Sequence, residues 1–230
     1  MRETFHGELD QIGRTLVEMS QAVAVAMRDA TTALLDADLT TAEKVISEDA
    51  HVDKLRDDLE ARAFDLLARQ QPVAIDLRTV ITSLKAVADL ERMGDLALHV
   101  AKVARMRYPA AAVPDDVRGT IREMGDIALS IVDKTTQVLE GQDIELAEQL
   151  EREDDAMDAL HRRLFTALLE DDWAHGMEPA IDITLIGRYY ERYADHAVSV
   201  ARQVIFLVTG EPAPLPSSIT SGATETALGA

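Results

Sequence analysis

Two acidic side chains four residues apart on a helix lie one turn apart on the same face, where both can reach a single cation. Such pairs fall at Asp49/Asp53, Asp53/Asp57, Glu91/Asp95, Glu151/Asp155, Asp154/Asp158, Glu178/Asp182 and Glu191/Asp195. With 42 acidic side chains among 230 residues, chance alone would scatter about this many, so the number carries no information. Placement does. Asp49/Asp53 and Asp154/Asp158 occupy matching places in two copies of one repeated unit, and so do Glu91/Asp95 and Glu191/Asp195.

The carboxylates also interrupt apolar spacing. Ile81, Leu84, Ala88, Glu91, Asp95 and Leu98 follow in alternating steps of three and four, the spacing of a buried helical seam. Glu48 falls in line with Val45, Val52, Leu55 and Leu59, and Glu153 does so in the second copy. A carboxylate drawn off the solvated face loses hydration that only an opposite charge restores, and a like charge one turn away adds to the penalty. Arginine partners are one solution; bound metal is the other. With no cysteine, the oxygen donors favour magnesium, manganese, calcium or iron, divalent or trivalent. The metal reading expects ligands at Asp49, Asp53, Glu91, Asp95, Asp154, Asp158, Glu191 and Asp195.

The elements that must position these groups are helices. Only 7 Pro and 11 Gly punctuate the chain, and no period-two stretch survives inspection. Breaks near Asp36–Leu39, Gln70–Asp76, Tyr108–Asp116, Glu140–Asp143 and Asp172–Pro179 divide it into six long helices, with Pro72, Pro109, Pro114 and Pro179 at the boundaries. The repeat explains the count. EMSQAVAVAMRDATTALLDADLTTAEKVISED from Glu18 matches EMGDIALSIVDKTTQVLEGQDIELAEQLERED from Glu123, and ERMGD (91–95) matches ERYAD (191–195). The expected fold is all-α: two tandem, pseudo-symmetric three-helix bundles over 1–108 and 117–210, a linker over 109–116, and a flexible tail over 211–230.

Composition narrows the function. The formal charge of -19 repels nucleic-acid phosphates and anionic lipid headgroups. No apolar run approaches bilayer-spanning length, and the charged start MRETFHGELDQIG does not read as a secretion signal, so a cytoplasmic protein is expected. Neither a nucleophile with its base nor a phosphate-cradling glycine loop is recognisable, so no enzymatic activity is expected.

Two copies of a three-helix unit, each with a paired carboxylate motif in its second helix and ER-x-x-D in its third, resemble the PhoU family of phosphate-transport accessory proteins. PVAIDLR (72–78), DLERMGDLALHVA (89–101) and YERYADHAVSVA (190–201) are similar to it as well, and the resemblance covers residues 1–210. It implies an all-helical protein holding metal clusters on its bundles, a negative regulator of phosphate uptake and of the phosphate-starvation response. The implied partners are the transporter's ATPase subunit, a membrane sensor histidine kinase and a second copy in a homodimer. Ala194 stands where the first copy has Gly94, a small residue in both cases. Two alternatives stay open. A ferritin-like di-metal oxidase needs Glu-x-x-His on two helices; Glu48-x-x-His51 fits, but Ala156 replaces the histidine in the second copy. A metal-free helical scaffold would use the carboxylates in salt bridges only. His99 and His196 read as packing residues or secondary ligands, Arg92 and Arg192 as neutralising groups.

Overall fold

In a computed structural model the chain forms α1 (Arg2–Asp36), α2 (Leu39–Gln70), α3 (Ala74–Arg107), α4 (Asp115–Gly141), α5 (Ile144–Leu169) and α6 (Met177–Thr209). The structure describes residues 2–170 and 173–212 and, within them, the side chains of all but residues 2–4 and 151. The expected tail, 211–230, lies outside the described residues apart from Glu211 and Pro212, as do 171–172 within the last break. Each remaining break falls where the sequence places it. Pro72 and Pro109 sit between helices, Pro114 immediately precedes α4, and Pro179 occupies the first turn of α6.

Repeat symmetry extends to the helix caps. Asp38 accepts a hydrogen bond from the Thr41 amide (3.1 Å) at the start of α2, and Asp143 accepts one from the Leu146 amide (3.0 Å) at the start of α5. Each satisfies an amide that would otherwise lack a partner in the first turn.

Helices α1, α3, α6 and α4 pack in a ring of four, α1 on α3, α3 on α6, α6 on α4 and α4 on α1. Helix α2 flanks the ring against α1 and α3; α5 flanks it against α4 and α6. One hydrophobic core runs through all six. Its centre holds Met19, Met27, Leu34, Leu90, Met93, Ile121, Met124 and Ile131, all fully buried. The two bundles are therefore welded together rather than merely tethered by the linker.

Pseudo-two-fold contacts make the weld. Ser20 bonds Thr136 through their hydroxyls (2.8 Å), and the symmetry-equivalent contact sets Gly125 against Thr31. Asp89 accepts from Ser199 (2.7 Å) and pairs with His196 Nδ1 (2.9 Å); its counterpart Tyr189 meets the ring of His99 at 5.2 Å. Tyr190 and Tyr193 reach across the ring, Tyr190 to the Thr31 hydroxyl (2.7 Å) and Tyr193 donating to the Val23 carbonyl (3.1 Å). Arg107 ties α3 to Glu178 and buried Asp182 at the start of α6, while Arg78 lies over Phe206 at the other end.

The α1–α4 crossing is close enough to test. A Cβ on Gly125 would stand 2.7 Å from Thr31 Cγ2, whereas the Thr31 hydroxyl is held by Tyr190. Gly125→Ala is expected to destabilise the protein by about 1–3 kcal/mol through overpacking. Thr31→Ser removes the clashing methyl and keeps the hydroxyl, so Gly125→Ala/Thr31→Ser should recover most of the loss. Urea unfolding of both variants checks this; equal instability in the two would show that Thr31 Cγ2 is not the obstacle.

Candidate functional site

The face of α2 turned to the bundle runs Ala42, Val45, Asp49, Val52, Arg56, Leu59, Ala63 and Leu66 in steps of three and four. The six apolar members are buried, and Asp49 and Arg56 are half-buried. In α5 the same steps run Ala147, Leu150, Asp154, Met157, His161 and Leu164. The seam expected through Glu48 and Leu55 is thus displaced by one residue. Glu48 is 58% exposed, and Leu55 is half-buried. Both stripes share Val45, Val52 and Leu59, so apolar spacing alone does not separate them.

Helix α3 shows the same displacement. Its buried stripe runs Val80, Ser83, Val87, Leu90, Gly94, Ala97, Ala101 and Ala104, beside the expected line from Ile81 to Leu98. Ile81 and Ala88 are exposed, while the side chains of Glu91 and Asp95 keep 18% and 36% of their surface. The carboxylates therefore rim the core. The reason is that α3 is covered by α1, α2 and α6, so its apolar residues belong to more than one face.

The structure brings the eight carboxylates together in two groups of four, one on each flank. Asp49 and Asp53 of α2 meet Glu91 and Asp95 of α3; Asp154 and Asp158 of α5 meet Glu191 and Asp195 of α6. In the first group burial, then Asp53 and Asp95, pushes the Asp49 acid above its ordinary range. The Arg56 guanidinium enters this group, with Nη1 2.7 Å from Glu91 and 3.1 Å from Asp53, while Nη2 lies 3.0 Å from Asp57. Arg92 pairs with Asp95 at 2.9 Å, the neutralising role read from the sequence.

The second group is less well neutralised. Burial first, then Asp195, Asp158 and Glu191, pushes the Asp154 acid up to about 7. Glu191 and Asp195 are raised by lost hydration above all, against the opposing charge of Arg188, which bonds Glu191. Arg162 lies 3.8 Å from Asp158. His161 faces this group two turns after Asp154, and burial, then Arg188, lowers its pKa and keeps the imidazole neutral. His161 Nε2 and Asp154 Oδ1 are buried without a hydrogen-bond partner. A neutral imidazole and partly neutralised carboxylates are donor groups of the kind a cation accepts. As the side chains stand, no three His, Asp or Glu groups among the described residues converge closely enough to hold a metal ion.

His161 escaped the sequence reading, although Asp154, Asp158 and His161, in steps of four and three, share one helical face. His51, the histidine weighed there for an oxidase, is exposed and 4.0 Å from Glu18. His99 and His196 make the inter-repeat contacts described above. Trp173 donates to the Gly176 carbonyl (2.9 Å) and packs on the core. A cleft of about 590 Å3 between the ends of α1, α3, α4 and α6 includes none of the eight carboxylates in its lining; a groove of about 420 Å3 between α1 and α2 borders Asp49.

The PhoU domain model matches residues 16–104 and 121–204, one match per repeat. The chain is 49% identical to phosphate-specific transport system accessory protein PhoU homolog 2 of Mycobacterium tuberculosis, over 91% of this chain and 99% of that one. It is 46% identical to PhoU homolog 1 of Mycobacterium leprae, over 91% and 95%. The crystal structure of PhoU from Pseudomonas aeruginosa superposes with a TM-score of 0.80 at 30% identity, covering 90% of this chain and all of that one. PhoU from Streptococcus pneumoniae, at 24% identity and a TM-score of 0.82, shares the fold. No helix among the described residues is long and apolar enough to cross a membrane.

Asp154 gives the metal-free protein a pH signature. Its acid is raised from 3.8 in the unfolded chain to about 7 in the folded one, so the folded state holds the extra proton between those values. Stability should fall as pH rises from about 4 through 7 and then level off. After solvent screening the loss is on the order of 1–2 kcal/mol. Denaturant unfolding in chelator at pH 5 and pH 8 measures it, and Asp154→Asn should reduce the difference. An unchanged difference in that variant would show that Asp154 is not its source.

Proposed function

The chain belongs to the PhoU family, and from that membership we propose that it is a regulatory adaptor of a phosphate-specific transport system. It works by contact rather than catalysis, limiting phosphate uptake and holding the starvation response off when phosphate is plentiful. The observation that carries this reading is the family match in both repeats, combined with near full-length similarity to transport accessory proteins. Its partners in this reading are the transporter's ATPase subunit and a membrane sensor histidine kinase, met in the cytoplasm by a homodimer.

The physical character of the molecule supports such a role. Helices of 26 to 35 residues present long continuous faces. A formal charge of -19 suits basic patches on partners and speeds their encounter. Metal ions bind on the flanking carboxylates in this reading, where they fix the spacing of a flanking helix against the ring. The eight carboxylates named from the sequence are the candidate donors, with His161 added in the second group.

Deleting the gene, together with any second family copy, should switch on starvation genes in phosphate-rich medium and raise phosphate uptake. Reporter expression and labelled phosphate uptake measure the two effects, and capture of the ATPase subunit and the kinase on the tagged protein tests the contacts. Normal repression in the deletion strain would overturn the regulatory reading.

A further inference from the structure

The four-helix ring has two ends, and among the described residues the chain crosses only one of them. We propose that the segment following α6, from Glu211 to Pro216, folds back across the other end and seats Leu215 in the cleft of about 590 Å3 between the ends of α1, α3, α4 and α6. Residues from 213 onward lie outside the described residues, so the occupant is assigned from the repeat and from its sequence. This goes beyond the regulatory reading and does not rest on it.

The crossed end supplies the pattern. Helices α3 and α4 do not touch, so they stand across the ring from each other, and the chain from Tyr108 to Pro114 must cross the ring end to join them. In crossing, it buries Ala112 and Val113 in the common core. Helices α6 and α1 stand across the ring in the same way, and the end of α6 and the start of α1 meet the cleft at the opposite end. A chain running from α6 toward the start of α1 is therefore the repeat counterpart of the linker from α3 to α4. The cleft stands where that counterpart would lie. Buried Leu16, Ala86 and Val204 line it, with half-buried Val17, Leu139 and Leu207 beside them.

The sequence after α6 suits such a crossing. Val113 is the sixth residue after Arg107, the last of α3, and Pro114 follows it; Leu215 is the sixth after Thr209, the last of α6, and Pro216 follows it. Neighbouring helices pack about 8–10 Å apart, so the diagonal of a four-helix ring is about 11–14 Å. Six extended residues reach about 20 Å, enough to cross it. From Pro212 to Thr224 no residue is charged, in a chain that is 28% charged, so the segment enters an apolar cleft without stripping water from an ion. Pro212, Pro214 and Pro216 restrict the backbone in advance, which lowers the entropy lost on docking. A tethered segment also meets the cleft at a high effective concentration, ahead of ligands from outside.

Arg78 stands where this segment leaves α6. Its guanidinium lies against Gly210, the left-handed residue that ends the helix, and over the Phe206 ring, and its Nε is buried without a hydrogen bond. At the crossed end, Arg107 is bonded to Glu178 and Asp182 instead. A backbone passing beside Gly210 brings carbonyl oxygens to the Arg78 Nε–H.

The test uses the full chain, which has no cysteine of its own, with a nitroxide on the single thiol of Ser217→Cys. In proton–nitrogen spectra the amide signals of Gly13, Val17 and Leu139 should lose most of their intensity, and those of Leu35 and Val117 at the crossed end should keep it. Adding Leu215→Asp should restore the lost signals, and adding Leu215→Met should not. Without any label, a chain ended at Pro212 should exchange the amides of residues 9–17 and 79–86 roughly tenfold faster than the full chain. Undiminished signals at Gly13 and Val17, a loss that survives Leu215→Asp, or exchange unaltered by the truncation would overturn the proposal. So would signal loss in isotope-enriched, unlabelled chains mixed with labelled ones, because a second copy's segment would then fill the cleft.

Discussion

Carboxylates placed at a helix seam must find a cation, and the outer third of this molecule is built around that requirement. Each flanking helix docks on the ring through apolar residues that would pack in any case, such as Val45, Val52 and Leu59 of α2. Between them stand acidic groups that face acidic groups on the ring helix. Apolar burial holds the helix down while like charges push it away, and both act on the Asp154 acid, which burial first and then Asp195, Asp158 and Glu191 push upward. Whatever supplies positive charge at the seam therefore sets how firmly the flanking helix is docked.

Pseudo-symmetry gives the chain two attempts at the problem. Contacts in the ring recur in pairs, but their chemistry has drifted: a hydroxyl pair at Ser20–Thr136 corresponds to a glycine contact at Gly125–Thr31, and Asp89–Ser199 corresponds to Tyr189–His99. Such drift is tolerated where each solution satisfies its own polar atoms. The seams drifted in the same way, Arg56 to His161 and Val87 to Gly187, but there the second solution leaves polar atoms unsatisfied. A buried polar atom without a partner is penalised, so the second seam is the less settled of the two.

The architecture was legible in the sequence because long helices, prolines at their ends and a sustained repeat all agree. The repeat also showed which carboxylate pairs belong to equivalent places, and the structure brings those pairs together. The seams were displaced by one residue. Helix α3 is covered on several sides, so its apolar residues do not single out one stripe, and on α2 the apolar Leu55 looked a better core member than Arg56. Arg56 and His161 were overlooked for the same reason: a polar residue on an amphipathic helix reads as solvent-facing unless its partner on another helix is known. How the bundles join was also out of reach, since Tyr190 reaching Thr31 spans 159 residues of sequence.

The unequal flanks bear on how an adaptor of this kind would signal. A contact surface formed by α2 and α3 is held by a guanidinium that is charged at every physiological pH and present at one copy per chain. A surface formed by α5 and α6 has Arg188 and Arg162 beside its carboxylates, and any cation bound there would add its binding free energy to helix docking. The first surface would then offer a partner constant geometry, while the second would change with ion availability. The -19 charge adds a non-specific attraction to basic patches that acts on both faces and weakens as salt rises, so discrimination between partners falls to the seams rather than to the overall field.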